Sequence, residues 1–246
     1  MKKTNVYLVG AGPGDVELLT LKAVKILEQA DVVLYDALVN IESLYFCKKD
    51  VITVNVGKRK DKHLLIQNEI NELILKYAKE DKLVVRLKGG TPFVFGRGYE
   101  EINFLNQHGI DVEVISGVSS TTAVPESFNI ALIDRNYSDA YRTITGHDIN
   151  IFKAIVTHFH ERENLIIMMG AHNTKIIVTH LLEIGFPHDL PIAFLSQGTT
   201  ENATKIISNL EEVSKKESVF FEKLRSLTPI IIYIGRTINA QKSFSY

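Results

Sequence analysis

The 246-residue chain has one cysteine, Cys47, and no tryptophan. A single cysteine excludes a disulfide framework and any metal site built from several cysteines. No apolar run reaches the roughly 18 to 20 residues that a membrane-spanning helix needs, and the start of the chain does not resemble a secretory signal. These absences predict a cytoplasmic protein with no membrane partner.

Neither sign of charge predominates, because 28 Lys and Arg stand against 29 Asp and Glu, for a net charge of −1. Proteins that bind nucleic acid usually carry a basic excess, so we expect no nucleic-acid partner. The charge is uneven along the chain, however, since residues 56–99 contain ten basic and five acidic residues, a net +5. This distribution predicts one basic wall for an acidic ligand.

Short buried strands alternate with amphipathic helices in the first half of the chain. Apolar, β-branched runs predict strands at 6–9, 32–35, 83–87 and 112–115. Apolar residues at helical spacing predict helices over 16–29, 66–77 and 99–108. Strands that alternate with helices are joined by crossovers into a mostly parallel sheet.

The second half begins with small and hydroxylated residues from Ser116 to Pro125, which indicate a domain junction. Strand-like runs follow at 141–145, 165–169, 191–195, 204–208 and 229–234, with a helix over 174–183. The run at 204–208 has no helix before it, which indicates a mixed sheet. We therefore expect an α/β protein of two domains, 1–116 with a mostly parallel sheet and 117–246 with a mixed sheet.

Glycines and polar residues follow the predicted strands, at the edge where parallel α/β sheets bind ligands. The pattern favours a small-molecule enzyme over a scaffold. The loop Gly10–Asp15, with Asp36 after the second strand, is similar to a dinucleotide site. However, Asp15 stands where that fingerprint needs glycine, and its carboxylate would repel a pyrophosphate at the helix N-terminus. A tight turn capped by Asp15 is the alternative, although it does not explain three glycines and a proline together.

Four segments, taken in order, resemble the signature blocks of the tetrapyrrole methylases. The first is Val-Gly-Ala-Gly-Pro-Gly-Asp (9–15, continuing to 23), and the next two lie at 32–39 and 56–60. The fourth, Val-Val-Arg-Leu-Lys-Gly-Gly-Thr-Pro-Phe-Val-Phe-Gly-Arg-Gly (84–98), is similar to the branch of the family that methylates uroporphyrinogen III. Weaker matches continue to near the C-terminus, so the likeness covers nearly the whole chain.

The resemblance implies an enzyme that uses S-adenosyl-L-methionine to methylate two pyrrole carbons of uroporphyrinogen III. The products would be precorrin-2, for sirohaem or cobalamin biosynthesis, and S-adenosyl-L-homocysteine, with no metal involved. It also implies a homodimer and an active-site cleft between the two α/β domains. The cofactor is expected to lie folded in that cleft, held largely by backbone groups rather than in the dinucleotide manner.

Two catalytic roles are carried over from the family: Asp36 as proton acceptor and Lys58 as proton donor. A carboxylate at a strand end beside a ligand can act as a general base. The residues alone leave a turn role open for Asp36 and a solvated basic loop for Lys58.

The cofactor positions implied by the resemblance lie in loops and at strand ends: Pro13, Gly89, Gly90, Thr91, Val94, Ser119, Ser120, Met169 and Gly198. Local sequence leaves a simple turn open for the two adjacent glycines, and core packing open for the methionine. The polycarboxylate substrate needs cationic partners. The expected substrate contacts are Arg59, Arg86, Lys88 and Arg97, together with Asp15 of the first loop. Arg86 lies inside a predicted strand, so pairing with a carboxylate is its alternative role.

The chain departs from the family pattern at Thr91, where an aspartate is usual. A hydroxyl replaces only part of the hydrogen bonding of a carboxylate, so weaker cofactor binding is expected. Tyr99 stands where glycine is usual. Two other functions therefore stay open: a sister methylase that acts on a later corrin intermediate, and a non-catalytic tetrapyrrole-binding homologue.

Overall fold

The structure is a computed structural model that describes residues 5–57 and 66–244. The chain divides into two compact units, Met1–Ser120 and Thr121–Tyr246, and each contains one five-stranded sheet. The first sheet is entirely parallel and the second is mixed. The expected fold class of two α/β domains is confirmed.

In the first unit the strands are arranged in the order β3-β2-β4-β1-β5. Their bounds are β1 Val6–Gly10, β2 Val32–Tyr35, β3 Ile52–Asn55, β4 Val84–Lys88 and β5 Val112–Ile115. Three helices connect them: α1 Leu21–Leu27, α2 Gln67–Lys79 and α3 Gly98–Gln107. A 3₁₀ helix, Ile41–Phe46, lies between β2 and β3.

The helices cover both faces of this sheet. Leu27 of α1 packs with Val33 and Leu87 on one face, whereas Ile74 of α2 and Leu105 of α3 belong to the cluster on the other face. The connections that follow the neighbouring strands β1 and β4 therefore leave towards opposite faces. At such a point an α/β sheet opens a crevice beyond the carboxyl ends of its strands, and ligands bind there.

The single helix predicted over residues 16–29 is wrong. Asp15 caps only a 3₁₀ turn, Val16–Leu18, by accepting the Glu17 N–H at 2.9 Å. The chain is then extended through Thr20, whose Oγ1 accepts the Ala23 N–H at 3.1 Å and caps α1. A threonine side chain that caps the backbone competes with continuation of the helix, and this competition breaks the predicted element in two.

In the second unit the strand order is β6-β7-β10-β8-β9. Their bounds are β6 Ala140–Thr145, β7 Glu163–Met168, β8 Pro191–Ser196, β9 Thr204–Asn209 and β10 Ile230–Ile234. The helices are α4 Ser120–Ser127, α5 Ile149–Ile155, α6 Thr174–Glu183, α7 Leu210–Ser214 and α8 Ser218–Ser226. Two 3₁₀ helices, Ala171–Asn173 and Arg236–Phe244, complete the unit.

Strands β6, β7 and β8 run in the same direction, since β6 is parallel to β7 and both β7 and β8 are antiparallel to β10. Their carboxyl ends therefore share one edge of the sheet. Strand β9, predicted because it follows another strand without a helix, pairs antiparallel with β8. It is the outermost strand on the side of the sheet away from β6. In the described part of the chain, every helix is too short or too polar to cross a membrane.

Candidate active site

The crevice between β1 and β4 is bridged by backbone. Gly12 N–H donates to Gly90 O at 3.1 Å, and Gly90 N–H donates to Gly12 O at 2.7 Å. Ala11 N–H also donates to Lys88 O at 2.7 Å. A pyrophosphate in a dinucleotide fold occupies this position and needs free N–H groups. The two loops use theirs on each other, so this crevice is not a dinucleotide site.

Three adjacent strand ends, β4, β1 and β5, come together through glycine backbones. A Cβ atom on Gly10 would lie 2.5 Å from Gly117 N, and a Cβ atom on Gly117 would lie 2.3 Å from Gly90 O. Those distances are far below van der Waals contact, so the close approach is possible only because side chains are absent. The loops that follow these strands are held as one rigid edge.

Gly89 differs from these glycines. A Cβ atom at this position would meet only Leu38, at an ordinary 3.6 Å from its Cβ. The fold therefore has space for a side chain there, whereas Gly90 is needed for its positive φ of 65°. A glycine that the fold does not require, at the carboxyl edge of a parallel sheet, fits a place where a ligand approaches the backbone. This observation favours the cofactor role of Gly89 over a simple turn.

Asp36 lies just beyond β2, and its carboxylate is held by a buried guanidinium. Arg86 Nη2 donates to Asp36 Oδ1 at 2.5 Å, and Lys88 Nζ lies 3.9 Å from Asp36 Oδ2. Side chains alternate along a strand, so Arg86 and Lys88 project from β4 to the same face. The Asp36 side chain is 32% exposed, which leaves it accessible to a ligand.

Glu101, on the first turn of α3, completes this cluster. Its Oε1 accepts from Arg86 Nε at 3.0 Å, from Lys88 Nζ at 3.1 Å and from Gln67 Nε2 at 3.1 Å. Glu101 is fully buried and Arg86 is 2% exposed. Removing one partner from a buried ion pair typically costs about 3–5 kcal/mol, so the cluster is a rigid part of the unit.

The expected substrate contacts of Arg86 and Lys88 need correction. Both side chains are buried, and Arg86 also donates through Nη1 to Leu87 O at 3.2 Å. Burial lowers the pKa of Lys88 below its ordinary value of 10.5, and the neighbouring Arg86 guanidinium lowers it further. The alternative role as an ion-pair partner is therefore what the structure has, and the two residues support Asp36 rather than face a ligand.

The segment after Gly90 carries three of the other predicted residues. Thr91 O accepts the Val94 N–H at 3.4 Å, and the Val94 side chain is exposed. Arg97 adopts a left-handed conformation with a φ of 57°. Its exposed guanidinium donates through Nε and Nη2 to Glu100 at 2.9 and 2.6 Å. Of the predicted cationic contacts in the described part, Arg97 is the one that faces solvent.

Pro13 and Asp15 lie in the loop after β1, which is tied to the loop after β2 because Asn40 Nδ2 donates to Gly14 O at 2.9 Å. Asp15 accepts the Glu17 N–H, as the turn alternative expects. Ser119 and Ser120 follow β5, and a Cβ atom on Gly90 would lie 3.2 Å from Ser120 Oγ. The predicted residues of the first unit that are described thus gather at the carboxyl edge of its sheet.

In the second unit, Met169 and Gly198 follow β7 and β8 at a common edge. Met169 is 47% exposed with a φ of 57°, so core packing, its alternative role, is wrong. A Cβ atom on Gly198 would lie 2.7 Å from Val124 Cγ1, and this packing against α4 is by itself a reason for glycine. Gln197 also has a positive φ, of 48°, and sequence reasoning did not select it. Strained positions of this kind concentrate at functional sites.

The basic wall predicted from residues 56–99 does not form within the described part of the chain. Arg86 and Lys88 are buried, and Lys82 pairs with Glu80 at 2.9 Å. Lys79 ends α2 and, like Lys82, lies at the amino edge of the sheet. Lys58 and Arg59, predicted as proton donor and substrate contact, lie outside the described residues.

Glu101 is the principal member of the cluster that sequence reasoning missed. A glutamate early in a helix normally faces solvent and interacts favourably with the helix dipole. The signal that could have found it is the pair of cations two residues apart on the buried strand β4, which require a buried anion nearby. Among the described residues, no group of three or more His, Cys, Asp or Glu side chains is arranged to hold a metal ion.

Together, these features define an α/β protein with a glycine-built strand edge, at which the Gly12 and Gly90 N–H groups pair with each other and are not free to bind a pyrophosphate. Residues 5–214 match the family described as Tetrapyrrole (Corrin/Porphyrin) Methylases. The chain belongs to this family.

Two named relatives match this chain over almost its full length. The chain is 41% identical over 241 residues to a uroporphyrinogen-III C-methyltransferase of Methanocaldococcus jannaschii, covering 97% of this chain and 98% of the relative. It is 35% identical to a siroheme synthase of Nitrosospira multiformis, of which it covers 51%. Among solved structures, a uroporphyrin-III C-methyltransferase of Thermus thermophilus complexed with S-adenyl homocysteine superposes with a TM-score of 0.78 at 34% identity, covering 96% of this chain and 99% of that one.

Proposed function

We propose that this protein transfers methyl groups from S-adenosyl-L-methionine to two pyrrole carbons of uroporphyrinogen III, giving precorrin-2. The observation that carries the proposal is the half-exposed Asp36 carboxylate, held by Arg86 at a glycine-built sheet edge. The nearly full-length similarity to the M. jannaschii methyltransferase supports the substrate. The similarity to part of a siroheme synthase supports a product used for sirohaem, and use for cobalamin is the alternative.

The residues of the first unit fit the cofactor. We assign its binding there to Pro13, Gly89, Gly90, Thr91, Val94, Ser119 and Ser120. For Met169 and Gly198, in the second unit, the expected cofactor role rests on the family resemblance alone. The space above Gly89 is the structural reason, because backbone groups can contact a ligand closely only where no side chain intervenes. When bound, S-adenosyl-L-methionine supplies a methyl group that is already activated by its positively charged sulfur.

Asp36 is assigned the proton chemistry. Methylation at a ring carbon requires loss of a proton, and a carboxylate fixed by a charge-assisted hydrogen bond is positioned to accept it. Arg86 fixes the Oδ1 atom, which leaves Oδ2 to receive the proton. Lys58 is proposed as proton donor, with Arg59, Arg97 and Asp15 as contacts for substrate carboxylates and pyrrole groups.

Two measurements test the proposal. Calorimetry should detect binding of S-adenosyl-L-methionine, and incubation with uroporphyrinogen III should yield a product heavier by two CH₂ groups, because each added methyl group replaces a proton. Cofactor binding without any gain in mass would contradict the proposed substrate and favour a sister methylase that acts on a later corrin intermediate. Absence of cofactor binding would contradict both enzymes and favour a non-catalytic tetrapyrrole-binding protein.

We also propose that the protein works as a homodimer in the cytoplasm. Several large apolar side chains of the first unit are exposed, among them Phe93, Phe95 and Tyr99, and exposed apolar groups are typical of protein interfaces. A chain with one cysteine suits a reducing compartment. Light scattering after size-exclusion chromatography checks the assembly, and cell fractionation checks the location.

A further inference from the structure

We infer that Glu101 is a positioning residue for the reaction: it fixes the Arg86 guanidinium, and Arg86 in turn fixes the Asp36 carboxylate. The inference rests on the proposed function and extends it to a residue with no role in substrate or cofactor binding. Its basis is a continuous set of contacts from α3, through β4, to the end of β2.

The chain of contacts begins with the geometry of Arg86. Glu101 Oε1 accepts from Arg86 Nε at 3.0 Å, while Nη2 of the same guanidinium donates to Asp36 Oδ1 at 2.5 Å. A guanidinium is a rigid plane, so fixing Nε also fixes the direction of Nη2. Glu101 therefore sets the direction in which Arg86 Nη2 donates to Asp36.

Burial distinguishes the two carboxylates of this chain of contacts. Glu101 is completely buried, whereas the Asp36 side chain is 32% exposed. The buried end anchors the cluster within the unit, and the exposed end faces the sheet edge where ligands bind. Glu101 is thus a buried carboxylate that fixes Arg86, and Asp36 is an accessible carboxylate that Arg86 holds. This is the arrangement expected where buried residues orient a reacting group.

Lys88 makes the negative charge of Glu101 necessary. Lys88 Nζ lies 3.1 Å from both carboxylate oxygens of Glu101 and 3.9 Å from Asp36 Oδ2. Glu101 Oε2 has no hydrogen-bond partner among the described residues, so its ion pair with Lys88 is its one charged contact there. In a glutamine at this position, the amide NH₂ would face the Lys88 ammonium, or its single oxygen would have to turn away from Arg86. In either arrangement Arg86 or Lys88 loses its partner and can move, so the Arg86 guanidinium is no longer held in the direction that meets Asp36.

A double-mutant cycle between Glu101→Gln and Asp36→Asn tests the inference. Displacement of a reacting group by about 1 Å costs up to a hundredfold in rate. We therefore expect Glu101→Gln to lower kcat by roughly tenfold or more, with KM for S-adenosyl-L-methionine changed by less than about twofold. In the Asp36→Asn background the same change should have almost no further effect, because the group that it positions is gone. Equal losses in both backgrounds, or an unchanged kcat, would overturn the inference.

Glu72→Gln is the matched control, because it makes the same change at an exposed residue of α2 and should leave kcat unaltered. If Glu101→Gln does not fold, Glu101→Asp replaces it in the cycle, since it keeps the charge but withdraws the carboxylate by one methylene. A crystal structure of the variant gives a readout that does not depend on turnover. Loss of the Arg86–Asp36 contact supports the inference even if wild-type protein fails to methylate uroporphyrinogen III, and retention of that contact contradicts it.

Discussion

Asp36, just beyond β2, accepts a hydrogen bond of 2.5 Å from Arg86 on the neighbouring strand β4, and this contact joins an accessible carboxylate to a buried cation. Leu34 is opposite Arg86 in the register of β2 and β4, so Asp36, two residues further along, projects to the same face as Arg86. The contact is therefore a consequence of the pairing of β2 with β4.

The first prediction concerns Asp36→Asn. The asparagine keeps an oxygen that accepts from Arg86 but cannot take up a proton at the same position. General-base catalysis typically contributes about 10²- to 10⁴-fold, so kcat should fall within that range, while the Kd for S-adenosyl-L-methionine stays nearly constant. Steady-state rates and calorimetry check the two parts, and unchanged turnover would refute the assignment of Asp36.

The second prediction compares two glycines of the sheet edge. Gly89→Ala should fold with wild-type stability, because its Cβ has ordinary space, yet it should weaken S-adenosyl-L-methionine binding by roughly tenfold as the methyl group enters the ligand position. Thermal unfolding and calorimetry measure these effects. Tight binding by Gly89→Ala would remove Gly89 from the cofactor site.

Gly117→Ala is the structural counterpart in that comparison. Its Cβ would lie 2.3 Å from Gly90 O, and overpacking of this kind typically costs about 1–3 kcal/mol. The variant should therefore lose both stability and binding. A stable Gly117→Ala protein would show that the glycine cluster is less tightly packed than its distances indicate.

The third prediction concerns Thr91, which stands where aspartate is usual in the family. Thr91→Asp should tighten binding of S-adenosyl-L-methionine, a cation, by roughly tenfold, because a hydrogen bond to a charged group contributes more than one to a hydroxyl. Thr91→Asn is the matched control, since it adds the oxygen without the charge. Equal affinities for Thr91→Asp and wild type would mean that this departure has no cost.

The fourth prediction concerns stability in acid. Asp31 accepts hydrogen bonds from Lys48 and from the Leu83 N–H, and these lower its pKa below the ordinary 3.8. Because the pKa of this carboxyl is lower in the folded state, its ionised form stabilises the protein at pH values above the unfolded-state pKa. This stabilisation is lost as the pH falls through the folded-state pKa. The free energy of unfolding of wild type should thus exceed that of Asp31→Asn at neutral pH, and the difference should shrink below about pH 3.8.

Urea unfolding at several pH values measures this difference. Because the Asp31 side chain is 39% exposed, solvent screening reduces the effect. Asp111→Asn, at an exposed residue before β5, corrects for the change in net charge. A difference that stays constant down to pH 2 would contradict the role of the Asp31 carboxylate.

Much of the sheet edge could be predicted from the sequence, because strands with β-branched, apolar runs and the glycines that end them carry strong local signals. The sequence prediction omits the edge strand β3, although the alternation Ile-Thr-Val-Asn-Val at 52–56 is a signal for a half-buried strand. The break of the predicted helix at Thr20 does not follow from the sequence pattern, because a threonine that caps a helix leaves the helical spacing of the apolar residues unchanged. Helices α5, α7 and α8 are short and were hidden among strand-like runs.

The ion cluster shows the limit of local patterns in the candidate site. Glu101 is 15 residues from Arg86 in sequence, and Asp36 is 50 residues from it. Period-two alternation places Arg86 and Lys88 on one face of β4, but only the position of α3 over that face identifies their partner. Roles that depend on such long-range pairing follow from the fold rather than from the neighbourhood of each residue.

The paired backbones of Gly12 and Gly90 also bear on how this fold can be redesigned. Main chain from the two loops already fills the gap at the switch point of the sheet, so the discrimination against dinucleotides is built into backbone geometry. Exchange of side chains alone leaves that geometry in place. Conversion of the chain into a nicotinamide-dependent enzyme therefore requires both loops to be rebuilt together, whereas changes of methyl acceptor can be sought in side chains around an unaltered glycine edge.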